Sequence, residues 1–334
     1  MVDFIKTLFF FYSTFKISLQ WQELPLLIIF RFQMKRMGKP NQIISDIKIS
    51  TRIFINRFLR MRKLRHSGFH LGKNQTVVNP SYLKIDIVIP AIEKDLDTLP
   101  YVIDFARKNV LHPVTNVYVV SPDSEKIKKV CSDKNCIYIF EENLLPIKKS
   151  DIDYRVGTLD RSGWMYQQFL KLSGNHFCTE ENYLVLDSDT LLIKPQVFER
   201  DGKYIFNFSD EYHKPYFDVY ERLLGYPVSA PVSLTSHHIL INMNKLSQLK
   251  SDLESKNGLV WYNAILHAID RSEPSSHSDY DTYGHYFLGS MKDSVYLEYW
   301  YNRSIRRQFI SDAYKLSNIY QKKFKSLSFH SWNN

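Results

Sequence analysis

The segment NYLVLDSDTLLIKP, residues 182–195, restricts the fold of this chain more than any other. Tyr183-Leu184-Val185-Leu186 reads as a buried strand, and Asp187-Ser188-Asp189 follows it at once. Two ionised carboxylates cannot continue into a core without a counter-charge, so the strand has to end at an edge of its sheet. Alternate residues of an extended chain point the same way, so Asp187 and Asp189 can face one point just beyond that edge. A hard divalent cation with oxygen ligands, Mg²⁺ or Mn²⁺, is the natural partner for such a pair. It would keep positions open for phosphate oxygens and could neutralise a departing diphosphate. An Asx turn, or an N-cap on the next element, uses the same residues without any chemistry.

The surrounding sequence alternates between two periodicities. LKIDIVIP (83–90), NVYVVSP (116–122) and CIYIFEEN (136–143) read as strands, with helices over 98–109 and 124–131 between them. Spacing of this kind predicts βαβ units and a sheet covered on both sides. Right-handed crossovers then gather the strand C-terminal ends along one edge, where open α/β sheets bind ligands. Residues 162–174 form an amphipathic helix, with Trp164, Gln168 and Lys171 on one face and Met165, Phe169 and Leu172 on another. A strand at 204–208 and a helix at 213–224 follow, then a strand at 236–242 that runs into a helix through 246–253. Residues 259–269 read as helix, 272–287 as a loop rich in turn formers and aromatics, and 324–332 carry a late His and Trp.

Charge separates the chain into two parts. Of the 44 Lys+Arg and 35 Asp+Glu, residues 1–73 hold 14 and 3, so the formal charge of +9 belongs to an N-terminal arm and the body is slightly acidic. A nucleic-acid enzyme spreads positive surface over its folded domain, and this chain does not, which excludes a nucleic-acid partner. Within the arm, Ile43, Ile44, Ile47, Phe54, Phe58 and Met61 recur at helical spacing among basic residues. That pattern fits a helix lying on an anionic membrane surface, or one packed on the body. The apolar clusters at 8–12 and 24–30 are shorter than a spanning helix requires. Cys131, Cys136 and Cys178 match no disulfide or zinc framework and read as packing residues in a reducing compartment. Neither a Gly-x-x-x-x-Gly-Lys phosphate loop, a Gly-x-Gly-x-x-Gly turn nor a Gly-x-Ser-x-Gly elbow occurs.

The strand followed by Asp-Ser-Asp-Thr and a further apolar run resembles the DxD element of glycosyltransferases with the GT-A fold. GWMYQQFLKL (163–172), YLVLDSDT (183–190), SLTSHHILIN (233–242) and SDYDTYGHY (278–286) resemble, more narrowly, a bacterial group of glycosyltransferase-like proteins. The resemblance covers about residues 83–332, implies a catalytic domain over 82–332, and leaves the arm, 1–73, outside. It implies an α/β, GT-A-like domain with a mixed sheet flanked by helices, and a metal-dependent, hexosyltransferase-like enzyme. Such an enzyme moves a sugar from a nucleotide-sugar donor to a hydroxyl of a cell-surface glycan or glycolipid. It would work in the cytoplasm, on the inner face of the membrane.

Carried over position by position, the resemblance implies Asp187 and Asp189 as holders of Mn²⁺ or Mg²⁺ and of the donor diphosphate. His330, in Phe-His-Ser-Trp, resembles the late histidine that supplies a further metal ligand; as an ordinary tail residue it would have no role. Pro90, Ala91 and Glu93 would lie beside the base or ribose, and Trp164 with Gln167 or Gln168 would contact donor groups. An inverting reaction needs a carboxylate to take the acceptor's proton. Asp279 and Asp281 in the turn-rich loop could each serve, with Asp281 preferred. His237 and His238 point to opposite faces if extended, so one is structural and the other could line an acceptor pocket. Competing expectations are a nucleotidyltransferase, disfavoured because VIPAIEKD lacks glycine, and a non-catalytic scaffold on the membrane.

Overall fold

The computed structural model of the chain describes residues 56, 59–72, 78–209 and 211–331. The chain divides into two compact units, Met1–Phe58 and Leu59–Asn334, and the described residues other than Asn56 belong to the second. The apolar pattern over 43–58 therefore lies outside the described residues. Of the expected arm, the described stretch 59–72 belongs with the body. Residues 59–66 are helical, Leu64 is fully buried, and Met61 and Phe69 pack against the core. Among the described residues no helix is long and apolar enough to cross a membrane.

The expected alternation is present. β1 (Ile85–Pro90), α1 (Leu99–Asn109), β2 (Val114–Ser121), α2 (Glu125–Asp133) and β3 (Ile137–Phe140) follow one another. After them come α3 (Ser162–Lys171), β4 (Asn182–Leu186), β5 (Thr190–Leu192), β6 (Lys203–Phe208), α4 (Lys214–Leu224) and β7 (His238–Asn242). The chain continues through α5 (Met243–Asn257), α6 (Trp261–Ala268), α7 (Asp279–Ser290), β8 (Val295–Tyr299), β9 (Asn302–Ser304), α8 (Ala313–Tyr320) and β10 (Ser326–Ser328). The central sheet has the order β7-β4-β1-β2-β3; it is parallel except for β7, which runs antiparallel to β4. The architecture is thus α/β with a mixed sheet flanked by helices.

Alternation along the strands builds two cores, one on each face. Ile85, Ile87 and Ile89 of β1 join Val102, Ile103 and Ala106 of α1 on one side. Val88 of β1 joins Phe169 of α3, Tyr220 of α4 and Tyr283 of α7 on the other. One carboxylate interrupts the apolar texture of β1. Asp86 is fully buried, and it accepts backbone N–H bonds from Asn116 (3.0 Å), Thr179 (2.7 Å) and Glu180 (3.0 Å). Three donors replace the water it gives up, so it ties the loop before β4 to β1 and β2.

Two smaller sheets complete the second half. β6 and β8 pair in parallel, with His70–Leu71 on the far side of β8. β10 lies between β9, parallel, and β5, antiparallel. The stretch 272–287 departs from its expected loop character. From Asp279 it is helix α7, capped by Ser278, whose Oγ accepts the Asp281 N–H at 3.1 Å. Its residues from Asp279 to Leu288 are all buried. Tertiary packing overrides the weak helix propensity of Asp, Tyr, Thr and Gly. Gly284 is where α7 meets its neighbour, because a Cβ there would come within 2.6 Å of Leu234 Cδ1. The strand expected at 136–143 ends at Phe140, in a short 3-10 turn over Glu141–Asn143.

Candidate metal centre

Two antiparallel ladders bring distant segments to the end of β4. In the first, His238 of β7 pairs with Leu186, and the Asp187 N–H donates to the His237 carbonyl at 3.0 Å. In the second, Ser328 of β10 pairs with Thr190 of β5, and the Phe329 N–H donates to the Asp189 carbonyl at 2.8 Å. Strand register therefore places residues 237 and 330 beside the Asp187–Thr190 turn. The outcome is a three-residue cluster, Asp189, His237 and His330, whose ligand atoms lie within 4.8 Å of one another. Asp189 Oδ2 is 3.1 Å from His330 Nδ1, and the two imidazole centroids are 4.9 Å apart.

The electrostatics suit a cation. Burial works to raise the Asp189 pKa, but the His330 hydrogen bond and the His330 and His237 charges outweigh it and hold the carboxyl down to about 2. Burial pushes His237 below the ordinary histidine value and so favours the neutral imidazole that metals bind. His237 Nδ1 lies 3.0 Å from Thr190 Oγ1 and 3.3 Å from Ser328 Oγ, and Trp300 packs on the ring at 4.8 Å. Hydroxyl partners of that kind fix the plane and tautomer of a ligating imidazole. His237 also has φ +58°, a left-handed conformation that costs a side-chain-bearing residue of order 1 kcal/mol. The strain persists because the ladder on one side and the loop on the other hold the residue. One carboxylate and two imidazoles fit Mn²⁺.

Asp187 lies outside this triad, although its charge is the leading one that acts on His237. β4 ends at Leu186, and a turn replaces the extended alternation. The Asp187 Oδ1 instead meets Lys171 Nζ at 2.7 Å and accepts the Tyr280 hydroxyl at 2.7 Å. Lys171 comes from the last turn of α3, with 5% of its side chain exposed. It also lies 3.8 Å from Asp279 Oδ2 and over the Tyr280 ring at 4.4 Å. Burial opposes its charge, but Asp187 and Asp279 outweigh burial and raise its pKa. Asp279 is pushed up to about 6, chiefly by burial.

The other expected residues are distributed as follows. Pro90 ends β1 and the Ala91 N–H donates to the Val120 carbonyl at 2.9 Å, both at the C-terminal edge that also carries Asp187. Glu93 is exposed and turned to Lys126 Nζ and Ser124 Oγ, each at 2.8 Å; the Lys126 hydrogen bond lowers its pKa. Trp164 is half-buried under the Arg161 guanidinium at 4.1 Å, and Gln167 is half-buried on α3. Gln168 is buried and its Oε1 accepts the Asp279 N–H at 2.8 Å, so it secures the start of α7. His238 is buried with Nε2 2.7 Å from Asn207 Oδ1, the structural member of the histidine pair. Cys131 is in the core.

Asp281 does not meet the requirement for a general base. It is 1% exposed, and its oxygens accept the Leu234 N–H (2.6 Å), Thr235 Oγ1 (2.9 Å) and Ser233 Oγ (3.1 Å). It anchors the strand-like segment that leads to His237. Among the described residues of this region, Glu211, between β6 and α4, is a carboxylate that opens to solvent. Enough protein surrounds its carboxyl that burial, reinforced by Asp281, pushes it up to about 7. Sequence reasoning passed over Glu211 and assigned no metal to His237. Lys171 was visible as the third member of the Trp164–Gln168 face of α3, without its partner.

A family model described as "Family of unknown function (DUF6492)" matches residues 84–333. No curated protein matches this sequence. Among solved structures, the galactosyltransferase LgtC in complex with donor and acceptor sugar analogs is similar at 13% identity and TM-score 0.40, over 73% of this chain and 87% of that one. Glucosyl-3-phosphoglycerate synthase from Mycobacterium tuberculosis, in complex with Mn²⁺, UDP and glucosyl-3-phosphoglycerate, is similar at 12% identity and TM-score 0.37, over 69% and 77%. The bifunctional glycosyltransferase WbbM gives 11% identity and TM-score 0.41, over 77% and 48%. A likeness this distant does not transfer a reaction.

Proposed function

We propose that this chain, which belongs to the DUF6492 family, is a metal-dependent, GT-A-like glycosyltransferase that moves a sugar from a nucleotide-sugar to a hydroxyl of a glycan or glycolipid. One observation carries the reading: Asp189, His237 and His330 converge at the C-terminal end of β4, on the ligand-binding edge of the parallel strands. When bound there, a divalent cation would supply positive charge to the diphosphate as the bond to the anomeric carbon breaks. The chain's own residues do the rest. Asp189, His237 and His330 would hold the cation. Pro90 and Ala91 lie along the same edge and would flank the nucleoside, and Trp164 and Gln167 on α3 would contact the donor, with Arg161 over one face of the Trp164 ring. Gln168 acts on the site by holding α7 and not by touching the donor.

In an inverting transfer the acceptor oxygen forms the new bond to the anomeric carbon and its proton must leave. Glu211 is the carboxylate suited to receive it. Glu211→Gln should lower kcat about a hundredfold and leave nucleotide binding unchanged; a loss confined to binding would remove Glu211 from the chemistry.

A thermal-shift screen of the full chain with UDP, GDP and CMP, with and without Mn²⁺, tests the whole reading. One nucleotide should stabilise the protein, and only when the metal is present. At a ligand concentration a hundred times Kd the stabilisation amounts to about 2.7 kcal/mol, a shift of several degrees. No shift under any condition would leave a non-catalytic scaffold as the better description.

A further inference from the structure

We infer that Arg161 is an anion-binding residue on the acceptor side of the centre, so that the acceptor is a saccharide bearing a carboxylate or a phosphate. The inference rests on the transferase reading above and adds to it the charge class of the acceptor.

Arg161 immediately precedes α3, and its guanidinium lies over the Trp164 ring at 4.1 Å. The residue is half-buried. Burial lowers its pKa, and the groups that oppose burial are the Tyr154 and Tyr216 hydroxyls; no carboxylate is among them. Its Nη2 reaches Ser275 Oγ only at 3.5 Å, and its buried Nε–H meets no acceptor among the described residues. Carboxylates nearby are turned elsewhere. Asp160, the adjacent residue, accepts the Ser162 N–H at 2.9 Å and lies 3.9 Å from Arg155. Glu273, on the loop that carries Ser275, is 3.5 Å from His213.

A guanidinium drawn from water without a counter-charge is costly. Stacking on the indole offsets part of that cost and fixes the plane of the fork. A planar fork with unfilled donors matches the paired oxygens of a carboxylate or phosphate. Its place in the fold gives that anion a role. Tyr216, in the first turn of α4, is within electrostatic reach of both Arg161 and Glu211. Glu211 is in turn within reach of His330. Arg161 therefore stands on the side of the centre where Glu211 would receive the acceptor's proton.

The experiment measures binding of methyl glucuronide, a glucose phosphate and, as neutral control, methyl glucoside to the full chain by ligand-observed NMR. It is run without nucleotide and again with saturating UDP and Mn²⁺. One charged saccharide should bind more tightly than the glucoside in at least one of the two conditions, and which one does so tells carboxylate from phosphate. Arg161→Gln should weaken that binding about tenfold to a hundredfold and leave the glucoside unaffected. Arg161→Lys, which keeps the charge without the fork, should retain part of the preference. A wild type that binds all three alike, or a folded Arg161→Gln protein that keeps the preference, overturns the inference. If Arg161→Gln fails to fold, Arg161→Lys decides: weakened discrimination supports the inference and unchanged discrimination overturns it. A preference for UDP-glucuronate over UDP-glucose that Arg161→Gln abolishes would assign the anion to the donor and also overturn it. Failure of the transferase reading is distinguishable. Anion preference that depends on Arg161, without metal-dependent nucleotide binding, sinks the enzyme and spares the subsite, whereas nucleotide binding without that preference does the reverse.

Discussion

Asp189→Asn should abolish the proposed metal-dependent nucleotide binding and leave a folded protein. The carboxylate is the one anionic member of the triad, and its depressed pKa of about 2 keeps it charged at every pH at which the protein would work. Asparagine keeps the shape and can still bond to Thr190 and His330, but it removes the negative charge that the proposed dication site needs. Loss of an outer-shell partner typically costs metal affinity tenfold to a hundredfold, so removing this direct ligand should cost about a thousandfold or more. The melting temperature without metal should move by only a few degrees, since the backbone bonds at 189, from Phe329 N–H to the Asp189 carbonyl, do not involve the side chain. A calorimetric titration with Mn²⁺ and the responsive nucleotide checks both halves. Unchanged binding would refute the assignment of Asp189.

Asp281→Ala should have the opposite signature: a large loss of stability that precedes any effect on binding. Its carboxylate accepts three bonds from the consecutive residues Ser233, Leu234 and Thr235 in a fully buried setting. Alanine strands the Leu234 N–H and leaves two hydroxyls to find other partners. At about 1–3 kcal/mol for each buried group left unsatisfied, the total is about 4 kcal/mol. In a unit of this size that is a fall of roughly 10 °C in Tm. Because the 233–235 segment leads directly to the strained His237, metal affinity should decline even in protein that stays folded. Differential scanning calorimetry with and without Mn²⁺ separates the effects. A variant with wild-type Tm but no turnover would restore Asp281 as a proton acceptor.

Asp189 and Asp281 show where sequence reasoning holds and where it stops. The apolar run before Asp187 required a strand edge, and the late Phe-His-Ser-Trp resembled a ligand-bearing tail; Asp189 and His330 meet at 3.1 Å. Asp281 was assigned to a loop because Ser, Asp, Pro and Gly dominate its surroundings. Those residues mark a turn only where nothing else packs on them. Here Gln168 and Ser278 secure the first turn, Gly284 admits Leu234, and burial of the whole helical segment decides the matter. In the sequence His237 is one of a doublet whose direction is open. Its role depends on the pairing of His238 with Leu186, a register between strands about fifty residues apart that no local pattern encodes.

Local chemistry along the chain was enough for the order of the first strands and helices, the end of β4 at an acidic turn, and the polar face of α3 that carries Lys171. Those features follow from side-chain period and from the cost of burying charge, both of which act between near neighbours. Which partners each carboxylate meets is a different kind of fact. Asp187 and Asp189 are two residues apart and chemically identical, yet one meets a buried lysine and the other a pair of histidines. Only the packing of α3 and α7 beneath the turn, and of β7 and β10 beside it, distinguishes them, because an electrostatic environment is set by what lies within a few ångströms in space.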